Sequence, residues 1–143
     1  MTPETANRLQ RWVTRYPNAV GGPASEAEVA AAERRLNASL PPDFREFLLR
    51  YCTALVEGYS IYGLRPEELI MGPQQMLVEQ TSLHRNTWLP PHLKGMVAIS
   101  ADSAGNPIGF LPDDVRVHVW DHDTGEILVL AESFDAWLGK ILA

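Results

Sequence analysis

The stretch that decides the fold runs from Val115 to Leu142 and reads VRVHVWDHDTGEILVLAESFDAWLGKIL. Its first part alternates as a β-strand does, because neighbouring side chains of a strand face opposite sides. This alternation predicts one face made of Val115, Val117 and Val119. The predicted opposite face is made of Arg116, His118, Trp120 and His122. Valine is stiff and β-branched, so we expect the valine face to pack in a buried, pleated surface.

A tight turn and a second strand follow the first strand. Gly125 can adopt a positive φ, and the Asp123 side chain can bond the backbone ahead of it, which is typical of a hairpin loop. The return strand, Glu126–Ala131, has almost no polar residue after its first, so we predict that it is covered on both faces. A helix then begins after Ser133, a good N-cap. Its apolar stripe consists of Phe134, Trp137, Leu138 and Ile141. This helix is expected to cover the hairpin, because a hairpin alone is not stable in water.

The first third of the chain predicts three more helices. The first spans Glu4 to Tyr16. The second starts from a capping box at Ser25 and Glu28 and ends near Asn37. The third starts at Pro42, since proline is tolerated in the first turn of a helix. The first and third repeat the apolar stripe of the C-terminal helix, so all three are expected to face one core.

Short strands are predicted in the later part of the chain. We predict a strand from Glu57 to Leu64, a helical turn from Arg65 to Glu68, and a partly exposed helix from Gln74 to Arg85. A strand from Met96 to Ala101 and its partner from Ile108 to Leu111 complete a meander. Helices cluster early and strands late, which favours an α+β fold. In this fold a mainly antiparallel sheet packs against the N-terminal helices and a C-terminal helix.

The length, net charge and composition of the chain limit the classes of protein to which it can belong. A chain of 143 residues predicts one domain, residues 1–143, with a core that needs no metal or disulfide. The net charge of −6 argues against direct binding of nucleic acid and suits basic partners. Cys52 is the only cysteine, and we expect it to be a buried thiol. No signal peptide or membrane-length apolar run is present, so we predict a cytoplasmic protein.

Histidines and aspartates in the quoted stretch resemble a metal site, but their spacing does not fit one. In a strand, His118 and His122 would lie roughly 13 Å apart at ~3.3 Å per residue, too far to share a zinc ion. The pair Asp121 and Asp123 resembles the start of a calcium loop, yet Gly125 stands where a ligand belongs. The chain also lacks a Gly-x-Ser-x-Gly motif and a phosphate-binding loop. We therefore predict no catalytic residues, no cofactor and no metal.

Two tryptophans and four acids are the candidate partner-binding residues. Trp88 and Trp120 are the large aromatics outside the helical stripes, and aromatic residues at a concave surface often anchor partners. We expect the acids to lie near two neighbouring turns. These acids are Asp113, Asp114, Asp121 and Asp123. Core packing for the tryptophans and solvation for the carboxylates are alternatives that the sequence leaves open.

Four segments, taken in order, resemble the SUKH superfamily of the Smi/Knr type, and a turn stands in its expected place among them. The segment Gly21–Leu36 is similar to the family's opening, and Leu40–Tyr51 is similar to its Pro-x-Asp-aromatic helix. Asp102–Phe110 stands in the place of an Asp- and Gly-rich turn. The best match is Val115–Asp123, which resembles a strand ending in Trp-Asp-His-acid. Ala131–Leu138 resembles the closing helix, and together the resemblance spans roughly residues 20–142.

This resemblance implies a non-enzymatic binding domain. Bacterial members are typically immunity proteins, encoded beside polymorphic or contact-dependent toxins that they neutralise by direct complexation. Many such toxins are nucleases with basic clefts, which suits an acidic chain. Fungal relatives regulate cell-wall synthesis, so a regulatory or scaffold domain that binds an endogenous protein is the alternative. The family's Asn-Gly-Gly after the third helix is replaced here by residues 52–58, CTALVEG.

Overall fold

The computed structural model describes residues 1–65, 68–69, 72–73 and 75–143. Its helices are α1 (Pro3–Arg15), α2 (Glu26–Leu36), α3 (Pro42–Tyr51), α4 (Leu77–Thr87) and α5 (Phe134–Ile141). Its first strands are β1 (Ala54–Val56), β2 (Tyr59–Ile61), β3 (Glu68–Leu69) and β4 (Gly72–Pro73). The later strands are β5 (Val97–Ala101), β6 (Pro107–Phe110), β7 (Val117–Trp120) and β8 (Ile127–Ala131). Short 3₁₀ helices span Pro17–Ala19 and Pro91–Leu93.

The late strands form a four-stranded antiparallel meander in the order β5-β6-β7-β8. Ile108 of β6 lies opposite Val119 of β7, which in turn lies opposite Leu128 of β8. β1 and β2 form a separate hairpin, as do β3 and β4. The predicted α+β fold, with a late meander and a C-terminal helix, is confirmed.

Local capping sets where two of the helices begin. Ser25 Oγ accepts a hydrogen bond from the Glu28 N–H at 3.1 Å, and the Glu28 carboxylate accepts one from the Ser25 N–H at 3.0 Å. This is the predicted capping box, which satisfies two backbone donors that the helix cannot satisfy itself. Ser133 caps α5 through its side chain alone, accepting from the Ala136 N–H at 3.0 Å.

All four phenylalanines of the chain meet in the core between α3, α5 and the sheet. The Phe44 ring lies 5.0 Å from that of Phe134 and 5.6 Å from that of Phe110, both edge-on. Phe47 packs against Phe44 and Phe134 at 6.1 and 5.4 Å. Leu9 of α1 is fully buried in the same cluster. The prediction that the three striped helices face one core is therefore confirmed.

Several predicted boundaries in the middle of the chain differ from the structure. The strand predicted from Glu57 to Leu64 is the second half of a hairpin, with Glu57 and Gly58 forming its turn at positive φ. The first half, β1, went unpredicted because only three residues pair. The helix predicted to begin at Gln74 begins at Leu77. Gln74, and residues 66 and 67 of the predicted helical turn, lie outside the described residues.

The solvent exposure of the two strands in the quoted stretch differs from the prediction. Every residue of β7 is buried, whereas Leu128 and Val129 of β8 are 50% and 45% exposed. β7 is an interior strand and β8 is an edge strand. The prediction that both faces of β8 are covered is therefore wrong. Val115 is also outside the strand and 54% exposed, which corrects the predicted three-valine face. Alternation reports the faces of a strand but not its place in the sheet.

None of the helices in the described part of the chain is long and apolar enough to cross a membrane.

Replacing Phe44 with alanine tests the importance of the phenylalanine cluster. Phe44 is completely buried and contacts the other three phenylalanines. The variant Phe44→Ala should lower the free energy of unfolding by about 3–5 kcal/mol, because it leaves a cavity. Urea unfolding followed by circular dichroism measures the change.

The matched control is Leu83→Ala on α4, where the side chain is 51% exposed. This substitution should change the free energy of unfolding by less than about 0.5 kcal/mol. Equal losses for the two variants would contradict the assignment of the core.

Candidate functional site

The four candidate acids lie at two opposite ends of the sheet. Asp113 and Asp114 lie in the connection from β6 to β7, whereas Asp121 and Asp123 lie in the turn from β7 to β8. Successive connections of a meander alternate between ends, and the four residues of β7 separate the pairs by roughly 13 Å at ~3.3 Å per residue. The prediction that these acids lie near neighbouring turns is therefore wrong. We call residues 102–106 and 121–126 the turn end, and residues 111–116 the loop end.

Hydrogen bonds join the two connections of the turn end. The Asn106 side-chain oxygen accepts a hydrogen bond from the His122 N–H at 3.0 Å and another from His122 Nδ1. The amide nitrogen of Asn106 donates to the Asp102 carboxylate at 2.9 Å. Because the Asn106 oxygen can only accept, His122 carries a proton on Nδ1. These contacts hold the two turns in one fixed arrangement.

Trp88 contacts two histidines behind the turn end, His122 at its face and His84 at its edge. Its ring centroid lies 4.5 Å from that of His122 and 5.7 Å from that of His84, with nearly parallel planes. The Trp88 Nε1–H donates to His84 Nδ1 at 2.7 Å. Trp120 packs edge-on against Trp88 at 5.5 Å. The stack thus fastens the C-terminal end of α4 to the turn end.

Trp120 belongs to a small second core with Leu89, Leu93 and Met96. Its side chain is buried, and its indole N–H has no hydrogen-bond partner among the described residues. Trp88 is partly exposed beside it. Packing therefore accounts for both tryptophans in the free protein, and their contact with a partner remains a prediction.

The acids of the turn end have different roles in the free protein. The Asp121 carboxylate accepts a hydrogen bond from the Asp123 N–H at 2.9 Å, so it shapes the turn. Asp123 lies 3.4 Å from His122 Nε2, yet its side chain is 79% exposed. Glu126 is exposed as well. Asp123 and Glu126 are thus the carboxylates that this end presents to solvent.

At the loop end, one acid is neutralised and the other is not. Asp114 accepts hydrogen bonds from Arg116 Nε at 3.0 Å, Nη2 at 2.8 Å and the backbone N–H at 2.9 Å. These hydrogen bonds from Arg116 lower the pKa of Asp114 to about 2. Asp113 is exposed, with a left-handed φ of 57°, and has no ion-pair partner among the described residues. Its charge is therefore available to a partner.

A groove of about 1130 Å³ lies beside the loop end, between it and the connection from α2 to α3. Its buried apolar lining consists of Leu36, Leu40, Pro41, Val97 and Phe110. Arg85 joins its walls by donating to the carbonyl oxygens of Leu36, Met96 and Gly95 at 2.9, 3.1 and 3.2 Å. The sequence did not indicate this groove, because its lining comes from segments far apart along the chain.

A family model described as the SMI1 / KNR4 family (SUKH-1) matches residues 23–140. The chain belongs to this family. The resemblance read from the sequence is therefore confirmed, and the match contains the turn end, the loop end, the groove and β8. A search of curated proteins found no match to the chain.

Negative charge in this SUKH-1 chain is concentrated in its sheet half. Residues 95–139, which form the four-stranded sheet and most of α5, contain eight acidic residues and one basic residue, Arg116. The rest of the chain contains ten acidic and eleven basic residues. The net charge of −6 thus arises entirely from the segment that carries both ends of the sheet.

Among the described residues of the SUKH-1 chain, no three His, Cys, Asp or Glu side chains form a group that could hold a metal ion. His118 and His122 make separate contacts, with the Arg116 carbonyl and with Asn106. Cys52 is fully buried, as predicted. That the protein needs no metal or cofactor for its function remains a prediction.

Replacing His84 with glutamine should flatten the pH dependence of stability. Burial lowers the pKa of His84 below 6.5, and the Trp88 N–H bond requires an unprotonated Nδ1. Below pH 6.5 the unfolded chain therefore binds a proton at His84 more readily than the folded chain does. The free energy of unfolding should fall as pH drops from 6.5 through the lowered pKa, and less so in His84→Gln.

Urea unfolding at pH 7, 6 and 5 measures this difference. Glutamine keeps an acceptor for Trp88 but does not titrate. The control is His92→Gln at an exposed histidine, which should leave the wild-type pH dependence in place. A wild-type slope in His84→Gln would show that His84 does not cause it.

Proposed function

We propose that this SUKH-1 protein is a non-enzymatic immunity protein that binds a cognate protein toxin in the cytoplasm and neutralises it. The partner is a toxin with a basic substrate cleft, such as the nuclease domain of a polymorphic or contact-dependent system. The concentration of negative charge on the sheet half, in a chain of this family, carries the proposal.

The charge distribution supports a mechanism of occlusion. A nuclease cleft must be positive to hold phosphates, so an acidic surface competes for the same site. Complementary potentials also accelerate encounter and disfavour wrong partners. No bond is made or broken, and the inhibitor needs no metal or cofactor. Neutralisation follows from the toxin's loss of access to its substrate.

The proposed partner-binding residues divide by role. Asp123 at the turn end and Asp113 at the loop end offer exposed carboxylates. Asp121 acts through the shape of the turn, and Trp88 and Trp120 act through the platform beneath it. Asp114 contributes to the loop end together with Arg116. A partner that contacts both ends lies along the sheet, at a length that fits an interface of standard size.

The groove favours a second candidate function, regulation or scaffolding through an endogenous protein. Its apolar lining suits an extended peptide segment. Its free charges are of both signs, since Arg34, Lys94 and Asp113 have no ion-pair partners within the described part of the chain. Such a mixed surface selects no strongly basic partner, which separates this candidate from toxin binding.

Co-expression with the toxin of the adjacent gene tests the first candidate. Cells that produce the toxin should grow only when this protein is also produced, and the two should co-purify in fixed stoichiometry. The immunity proposal would be contradicted if co-expression leaves the toxicity unchanged and no complex is found on purification. A housekeeping protein as the sole reproducible partner would favour the second candidate.

The double substitution Asp123→Asn and Glu126→Gln should slow association with the toxin about threefold at low salt, because steering by exposed charges acts on the association rate. It should also reduce the dependence of that rate on salt. Stopped-flow or surface-based kinetics at two ionic strengths measure both effects.

The matched control removes the same charge from the other half of the chain, with Glu4→Gln and Glu57→Gln. Both residues are exposed and lie outside the sheet half. Association rates should match those of the wild type. An equal slowing by both double variants would mean that net charge alone, rather than its location, governs encounter.

A further inference from the structure

Strand β8 has one open edge. It lies at the end of the four-stranded sheet, and no strand among the described residues pairs with its outer side. The opposite edge of the sheet is covered, since β5 receives a hydrogen bond from the Tyr62 N–H at its Ile99 carbonyl and exchanges two with the Thr81 hydroxyl at Ala98. The β5 edge of the sheet is therefore hydrogen-bonded to other segments, whereas the β8 edge is open.

The hydrogen-bond register shows which backbone groups of β8 point outward. The Asp121 N–H donates to the Glu126 carbonyl at 2.8 Å, so residue 126 faces β7. In an antiparallel ladder successive residues alternate between the two sides of the strand. The N–H and C=O groups of Ile127 and Val129 therefore point away from the sheet. They accept or donate no hydrogen bond within the described part of the chain.

The two side chains at the centre of β8 are apolar and exposed to solvent. Leu128 and Val129 are 50% and 45% exposed, on opposite faces of the strand. Protection exists only at the C-terminal end, where Leu130 forms a bulge and its carbonyl accepts from Lys140 Nζ at 2.8 Å. Charges, prolines and bulges normally block an exposed edge, and none stands at residues 127–129.

We propose that β8 is a strand-addition site, which takes an extended segment of a protein partner with an apolar centre and lysine or arginine at its flanks. The backbone of the segment pairs with Ile127 and Val129, and its side chains pack beside Leu128 and Val129. Glu126 and Glu132 flank the strand and are both exposed. In this respect the inference rests on the proposed function, because it describes how the toxin is held.

Charge selects this occupant over a second copy of the chain. Two β8 strands paired antiparallel about Val129 would place Glu126 of each copy opposite Glu132 of the other. Like charges directly opposite each other destabilise a strand pair. The basic side chains nearest this edge already have partners, since Arg116 is paired with Asp114 and Lys140 donates to the Leu130 carbonyl of its own chain. A segment with basic flanks satisfies both glutamates, whereas a second copy satisfies neither.

A peptide-display experiment tests the proposal. A library of random 12-residue peptides is selected for binding to the intact protein. Enriched peptides should alternate apolar residues at their centre and carry Lys or Arg on both sides. Synthetic versions should bind Val129→Pro at least about tenfold more weakly than wild type, and Val129→Thr within about threefold. Proline removes an outward N–H that the sheet itself does not use, so the fold tolerates it at an edge.

A second variant guards against a folding defect in Val129→Pro, which thermal unfolding would reveal. Val129→Lys keeps the backbone donor and repels basic flanks, and it should also weaken binding about tenfold or more. The proposal would be overturned if no peptide is enriched. It would also be overturned if the peptides bind Val129→Pro and Val129→Lys as tightly as the wild type. Self-association of the wild type that Val129→Pro abolishes would overturn it too, by making a second copy the occupant.

The two proposals fail separately in the co-expression assay. A toxin neutralised equally well by wild type and by correctly folded Val129→Pro leaves the immunity function standing and removes strand addition. Peptides that bind β8 as expected, with no toxin neutralised at the locus, remove the immunity function and retain the strand site.

Discussion

The contact among the four phenylalanines organises the molecule. Phe44 of α3 holds Phe134 of α5 and Phe110 of β6 against itself, so two helices are fixed on one face of the sheet. Edge-on aromatic pairs add directional preference to simple burial of apolar area. The C-terminal helix follows β8 directly, and this cluster decides where that helix must return.

The other face of the sheet is covered by a smaller core around Trp120 and by α4, and the contacts of Trp88 with His84 and His122 tie that core to the turn end. Every residue of β6 and β7 is buried, so the exposed side chains of the sheet lie on β8. A binding surface that keeps its geometry on association loses less conformational entropy.

Electrostatics and backbone geometry combine on the sheet half. Exposed carboxylates stand at both ends of the sheet, and the open edge of β8 runs between them with an apolar surface of its own. In the proposed function, long-range attraction brings a basic partner to this region, and strand addition at β8 gives the contact its register. The groove beside the loop end offers a separate surface with mixed charge.

The local features of the fold followed from the sequence alone. The caps at Ser25 and Ser133, the helical stripes and the turn at Gly125 act within a few residues, so their signals are contiguous in the chain. Segments that resemble the SUKH family also placed the chain correctly. Only the tertiary structure decided that β8 is the edge and β7 the interior strand, that Asp113 and Asp123 lie at opposite ends, and that distant segments line a groove. These outcomes depend on which strands become neighbours, and periodicity along one strand carries no information about its neighbours.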